Sequence, residues 1–335
     1  MELKEIYEPI QQDLAVVEER LKATSVKDAP WINELLAHAL KGGGKRLRPA
    51  LVLLSARFYD YDLERLMPMA KAVEMMHLAT LVHDDTIDNS FTRWGRPTVN
   101  KIWGMEKAVL LGDFLFAKSG ELTASTENIR VIKLLPQTLM IITNGELAQS
   151  ASSFQLGQSR EQYIFRISSK TAALFVMATE SGAVLSKAPE KSIQILHDYG
   201  YYLGHAFQII DDILDFTGTE AEMGKPVASD LWQGTVTLPT LMLMEKYPND
   251  NPVKKLFQGG DKQENIKQAI EMVRNSTIIP ECFGVAADYC KKACSGLKEL
   301  PKNRAGEVLT NLADFIVSRR NERFRIKPEI RISKS

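Results

Sequence analysis

Apolar residues recur every three to four positions along nearly the whole chain, and alternation with a period of two is scarce. That pattern predicts amphipathic helices over 3–20, 31–40, 50–58, 68–89, 105–124, 126–152, 161–187, 190–217, 238–247, 262–274, 278–297 and 303–320. Punctuation falls between them at Gly42-Gly43-Gly44, Gly95-Arg96-Pro97, Gly218, Gly224-Lys225-Pro226 and Tyr247-Pro248-Asn249-Asp250. Segments 161–187 and 190–217 are apolar around most of their circumference, which predicts central helices packed on several sides. No Pro/Ser-rich linker divides the chain. The expected fold is all-α: a single large helical bundle over residues 1–320, followed by a polar tail at 321–335.

Composition narrows the partners. Of 335 residues, Lys plus Arg number 42 and Asp plus Glu number 42. A net charge of zero gives no global field to attract nucleic acid or an anionic membrane, so anion binding must come from local clusters. The N-terminus is acidic and amphipathic, unlike a signal peptide, and no apolar run approaches the roughly 18–20 residues of a membrane span. The chain reads as cytoplasmic, with no stable membrane insertion. Cys282, Cys290 and Cys294 lack disulfide or zinc spacing and read as structural thiols.

Two acidic clusters stand out. LATLVHDDTID at 78–88 and AFQIIDDILD at 206–215 are apolar helical runs ending in Asp-Asp-x-x-Asp. They fit either an ancient duplication or two solutions to one chemical need. Asp84 and Asp88 share one helix face, as do Asp211 and Asp215, with Asp85 and Asp212 beside them. Like charges at i, i+4 cost an isolated helix roughly 0.2–0.5 kcal/mol per pair, and the C-terminal end of a helix is already negative. Local stability does not favour these clusters, whereas a divalent cation would. All-oxygen donors select a hard ion such as Mg²⁺, which takes one or two carboxylates and completes its shell with water and phosphate. His83, adjacent to the first aspartate, points to another face and is expected to pack.

The cationic counterpart is Gly44-Lys45-Arg46-Leu47-Arg48-Pro49, behind two further glycines. It is not a P-loop, since no Ser/Thr follows the lysine and no strand precedes it. Lys45 and Arg48 can hold an anion without metal. Arg93 and Arg96 follow the first aspartate motif and Lys225 follows the second. Lys170 enters a strongly apolar helix, where a lysine needs an anionic partner. One anion site built on metal and carboxylates, and one on bare cations, suit two diphosphates: one that must leave and one that must stay.

The ordered set GGGKRLRP, LVHDDTID with GRPTVN, LLGDFLFAKS, GELAQ (145–149), SKTAALF, FQIIDDILDF and GKPVASDLWQG–TLP spans about 40–245. On these motifs the chain resembles the trans-isoprenyl (polyprenyl) diphosphate synthases. The resemblance implies an isoprenoid synthase type of bundle around a central cavity, usually a homodimer. It implies condensation of an allylic prenyl diphosphate with isopentenyl diphosphate, head to tail, to a longer polyprenyl diphosphate. By resemblance, Asp84, Asp85, Asp88, Asp211, Asp212 and Asp215 would hold about three Mg²⁺ ions on the allylic diphosphate. Arg93, Lys170 and Lys225 would bind that diphosphate too, with Thr171 and Gln208 beside the forming cation. Lys45, Arg48 and His77 would hold isopentenyl diphosphate.

The chain departs from the family pattern twice. Trp94 stands where a second arginine usually follows Arg93, and Thr235 stands where the family has lysine. Both changes remove positive charge from the diphosphate environment. Product length follows from the helix behind the first aspartates: Ala79 and Thr80 lie roughly 6–8 Å behind Asp84 and Met76 about 12 Å behind it. Small residues at the nearer level leave the channel open, so the expected product is long-chain, beyond farnesyl. Two alternatives stay open on sequence: a terpene cyclase of similar fold, and a regulatory subunit of a two-component synthase.

Overall fold

The computed structural model describes residues 2–27, 29–41, 44–93, 95–219, 226–249 and 251–318. Helices of eight residues or more are numbered along the chain: α1 (Gln11–Lys22), α2 (Pro30–Leu40), α3 (Leu47–Ala56), α4 (Leu63–Ile87), α5 (Met105–Ala124), α6 (Ile129–Ser152), α7 (Arg160–Ile167), α8 (Ala173–Leu185), α9 (Glu190–Thr217), α10 (Leu238–Lys246), α11 (Lys262–Arg274), α12 (Ile278–Ser295) and α13 (Arg304–Ser318). A π-helical turn, Ser168–Ala172, joins α7 to α8. Among the described residues, strand structure is confined to a hairpin of Thr92–Arg93 with Arg96–Pro97.

Helix ends follow local chemistry. The Asp62 side chain accepts from the backbone N–H of Glu64 and Arg65, capping α4 five residues before the predicted start. The helix runs through Pro68 in its second turn, without the backbone hydrogen bond that a proline cannot donate to the Glu64 carbonyl. Asn128 caps α6 and Ser159 forms a capping box with Gln162 on α7. At the far end of α4, Asn89 takes φ +49°, a left-handed residue that closes the helix just after the first aspartate motif.

The two segments read as central are central. Leu174, Phe175, Met177, Ala178, Thr179, Ser181, Gly182 and Ala183 of α8 are all buried, and α3, α4, α6 and α9 pack around it. α9 buries Leu196, Tyr199, Leu203, Ile209, Ile210, Ile213 and Phe216, and α12 covers its other side. Burying a side chain of this size contributes about 1.5–3 kcal/mol, so these helices owe their stability to packing far more than to propensity. The cysteines are free thiols; Cys282 and Cys290 are buried and Cys294 is half-buried. No described helix is long and apolar enough to cross a membrane.

Candidate active site

Both aspartate motifs occupy the last turns of long helices, the first on α4 and the second on α9. They meet at one pocket, whose walls include Asp88 from the first motif, Asp212 from the second, and Lys170 and Gln208. Gln149, Arg166, Asp230, Gln233, Thr235 and Thr237 complete the polar part of the wall.

On the α4 side, Lys170 Nζ lies 3.7 Å from Asp84 and 2.8 Å from Glu146 of α6. Burial disfavours the charged amine, but Asp84, Glu146 and Asp88 together outweigh it and hold Lys170 above the usual lysine range. The lysine that the apolar helix left in need of an anion has two. Arg93 from the hairpin donates from Nε to both oxygens of Asp85 at 2.9 Å. Even so, burial pushes the carboxyls of Asp84, Asp85 and Asp88 up from their ordinary values.

On the α9 side the aspartates differ. Asp212 accepts from Tyr163 Oη at 2.7 Å and from Gln208 Nε2 at 2.9 Å, and Gln208 in turn accepts from Thr171 Oγ1 at 2.5 Å. Burial, then the nearby Asp230, push Asp212 up to about 8 despite those donors. Asp215 accepts from Ser229 Oγ at 2.9 Å and from the Asp230 amide at 3.2 Å. Asp212 and Asp215 are buried, whereas Asp211 is half-buried and within electrostatic reach of Arg48.

Of the second cation group, Arg48 and His77 come within electrostatic reach of each other. Burial lowers the Arg48 guanidinium to about 10, and its Nε is buried without a hydrogen-bond partner. Burial and the charges of Arg48, Arg93 and Arg46 hold His77 well below its ordinary value, so it is neutral at pH 7. Lys45 is exposed, 5.2 Å above the Phe315 ring of α13. Arg46 turns the other way and pairs with Glu18 and Glu74, fixing the start of α3. Of the loop's three cations one is thus structural, a distinction that spacing alone could not draw.

The remaining expected residues fall as follows. Met76 and Ala79 are fully buried and Thr80 is half-buried, donating to the His77 carbonyl at 2.8 Å; none of them lines the pocket. His83 packs against α5, with Nε2 3.0 Å from the Val109 carbonyl oxygen. Thr235 lines the pocket. Lys225 and Trp94 lie outside the described residues. Sequence reading missed Glu146, Tyr163, Arg166, Asp230 and Gln233. The motif GELAQ held a clue to Glu146, since an acidic residue there could answer Lys170. Tyr163 gave no signal.

Helix-end carboxylates and cations around one pocket of an all-helical bundle define an enzyme that handles diphosphates. Residues 29–273 match the family profile described as Polyprenyl synthetase. The chain is 39% identical over 322 residues to heptaprenyl diphosphate synthase component 2 of Geobacillus stearothermophilus, covering 95% of this chain and 99% of that one. The crystal structure of heptaprenyl diphosphate synthase from Staphylococcus aureus matches with a TM-score of 0.88 at 37% identity, over 92% of this chain and 98% of that one. That of polyprenyl synthase from Caulobacter crescentus CB15, complexed with calcium and isoprenyl diphosphate, matches with a TM-score of 0.89 at 34% identity, over 95% and 98%. The chain belongs to the polyprenyl synthetase family, and it is a trans-prenyltransferase that makes long-chain polyprenyl diphosphates. The cyclase alternative is left without support.

Proposed function

We propose that the chain condenses an allylic prenyl diphosphate with isopentenyl diphosphate, using the pocket between the ends of α4 and α9 and Mg²⁺ held by its aspartates. The observation that carries this reading is the meeting of Asp88, Asp212 and Lys170 at one pocket. Among the described residues, no three His, Cys, Asp or Glu side chains stand close enough to hold a metal by themselves. The donors nevertheless fit Mg²⁺, which takes one or two carboxylates and leaves the rest of its shell to diphosphate and water. Asp84 and Asp88 on one face of α4, with Asp211 opposite, would hold it. When bound, the metal supplies charge stabilisation for the departing diphosphate.

Lys170 and Arg93 neutralise the same diphosphate from the protein side. Thr171 Oγ and Gln208 sit beside the carbon that becomes cationic. Arg48, with its unpartnered buried Nε, Lys45 and neutral His77 orient isopentenyl diphosphate, which keeps its diphosphate. Its double bond attacks the allylic cation, and the proton lost passes to the released diphosphate. Asp212, engaged by Tyr163 and Gln208, sets the shape and charge of the wall, and Asp215 is held by Ser229. α5 and α6 expose Val109, Leu110, Met140, Ile141 and Leu147, which supports a homodimer across that face.

A second reading is that the chain is one component of a two-protein synthase, favoured by the words "component 2" in the name of the Geobacillus relative. The two intact Asp-Asp-x-x-Asp motifs support a catalytic rather than a regulatory part. Both readings are tested by incubating purified chain with Mg²⁺, isopentenyl diphosphate and a panel of allylic diphosphates, followed by mass spectrometry. Metal-dependent long-chain product from this chain alone is expected. Product only after a second protein is added favours the two-component reading, and no product under either condition refutes the assignment.

A further inference from the structure

We propose that Gly145 and Gly204 are positioning residues, shaping a slot between α6 and α9 that holds the Ser168–Ala172 π-turn and so aims Lys170 and Thr171 at the allylic diphosphate. The inference rests on the assignment of those two residues to that substrate.

A π-turn is rare and widens the helix by one residue per turn, often at functional sites. Here it lets two consecutive residues serve the pocket in different directions: Lys170 toward Glu146 and Asp84, Thr171 toward Gln208. Each side of the turn is met by a glycine. A Cβ on Gly145 would stand 2.4 Å from the Ser169 Cβ, and one on Gly204 would stand 2.5 Å from the Ala172 Cα. Neither distance is tolerable without movement, and both obstacles lie at or next to the backbone of the turn rather than at a flexible tip.

Side chains then pin the turn in the slot. Ser169 Oγ donates to the Phe165 carbonyl oxygen at 2.9 Å, and Ser168 Oγ lies 2.7 Å from the Ile164 carbonyl oxygen, one helical turn back. His205, next to Gly204, reaches Ser168 Oγ with Nε2 at 2.7 Å while its Nδ1 meets the Tyr201 carbonyl oxygen at 2.7 Å. Consecutive residues on α6, Gly145 and Glu146, thus accommodate the turn and hold its lysine. This gives GELAQ a physical role: room for the turn, a partner for Lys170, and Gln149 in the pocket wall.

The test is a rescue experiment. Gly145→Ala should lower kcat on the order of a hundredfold, the effect of displacing a reacting group by about 1 Å. The KM for isopentenyl diphosphate should move less than about twofold, since Lys45, Arg48 and His77 lie outside the slot. Adding Ser169→Gly removes the clashing Cβ, so the double variant should recover the kcat of Ser169→Gly alone. Should Gly145→Ala fail to fold, the double variant still decides: folding and turnover must return together. Wild-type kcat in Gly145→Ala, or a double variant that folds without regaining turnover, overturns the proposal. Lys170→Ala, run in parallel, should raise the allylic KM. If it does not, the substrate assignment itself fails; if it does while Gly145→Ala is silent, only the slot fails.

Discussion

Tyr163 donates its hydroxyl to Asp212 Oδ2 at 2.7 Å, tying α7 to the carboxylate-bearing end of α9. Gln208 takes the other oxygen, so both oxygens of Asp212 are engaged by protein. The second aspartate motif is thereby divided: Asp212 and Asp215 are buried and held by protein donors, and Asp211 is the half-buried member.

Tyr163→Phe removes one donor from a buried carboxyl and leaves the rest of the site in place. A loss of about 1–3 kcal/mol in unfolding free energy is expected by urea denaturation. Turnover should fall as well, because Asp212, on which the Gln208–Thr171 chain is anchored, loses one of its two fixings. A variant as stable and as active as the parent would show that the contact does not organise the wall.

The stability of the metal-free protein should depend on pH through Asp212. Its folded carboxyl is raised to about 8, against 3.8 as the ordinary value. The native state therefore binds the proton more tightly than the unfolded chain. This group's contribution is fully present below about pH 4, falls as pH rises toward 8, and is flat above. In Asp212→Asn the fall in denaturation midpoint between pH 4 and pH 8 should be shallower than in the parent; equal slopes would contradict the assignment.

Arg46 should matter more for stability than its loop position suggests. It pairs with Glu18 and with Glu74, and Glu74 is 7% exposed. Arg46→Ala leaves Glu74 buried without its cation and should cost about 2–4 kcal/mol, somewhat under a fully buried pair because Arg46 and Glu18 keep partial exposure. The KM for isopentenyl diphosphate should rise with it, since Arg46 fixes the segment that carries Lys45 and Arg48.

Ala79→Phe should shorten the product, read by mass spectrometry of the chain-length distribution. Ala79 is fully buried on α4, so the larger ring also overpacks its surroundings and should cost about 1–3 kcal/mol of stability. Unchanged chain length in a folded variant would remove Ala79 from the product channel.

Much of the fold was legible because helices advertise themselves through a single period. α5, α6, α9, α11 and α12 begin and end within a few residues of where apolar spacing put them. The predicted segment begins at 68 whereas α4 begins at Leu63, because its start is set by the Asp62 cap, a local hydrogen bond and not an apolar period. The π-turn was invisible: SSKTAALF continues the helical pattern, and a one-residue widening leaves no trace in a periodicity averaged over several turns. The short helices Ser229–Trp232 and Pro252–Phe257 also escaped, being too brief to show a period.

Sequence by itself determined the all-helical class, the two aspartate motifs at helix ends, the presence of a metal-free cation group, and the family. These are properties of neighbours along one helix or of ordered motifs, and spacing is enough to read them. Tertiary structure alone decided which charges meet. It sent Arg46 to Glu18 and Glu74 while leaving Arg48 with an unpartnered Nε, gave Lys170 both Glu146 and Asp84, and turned Asp212 toward Tyr163. Those partners lie tens of residues apart, and their distances are set by how helices cross, which no single helix encodes.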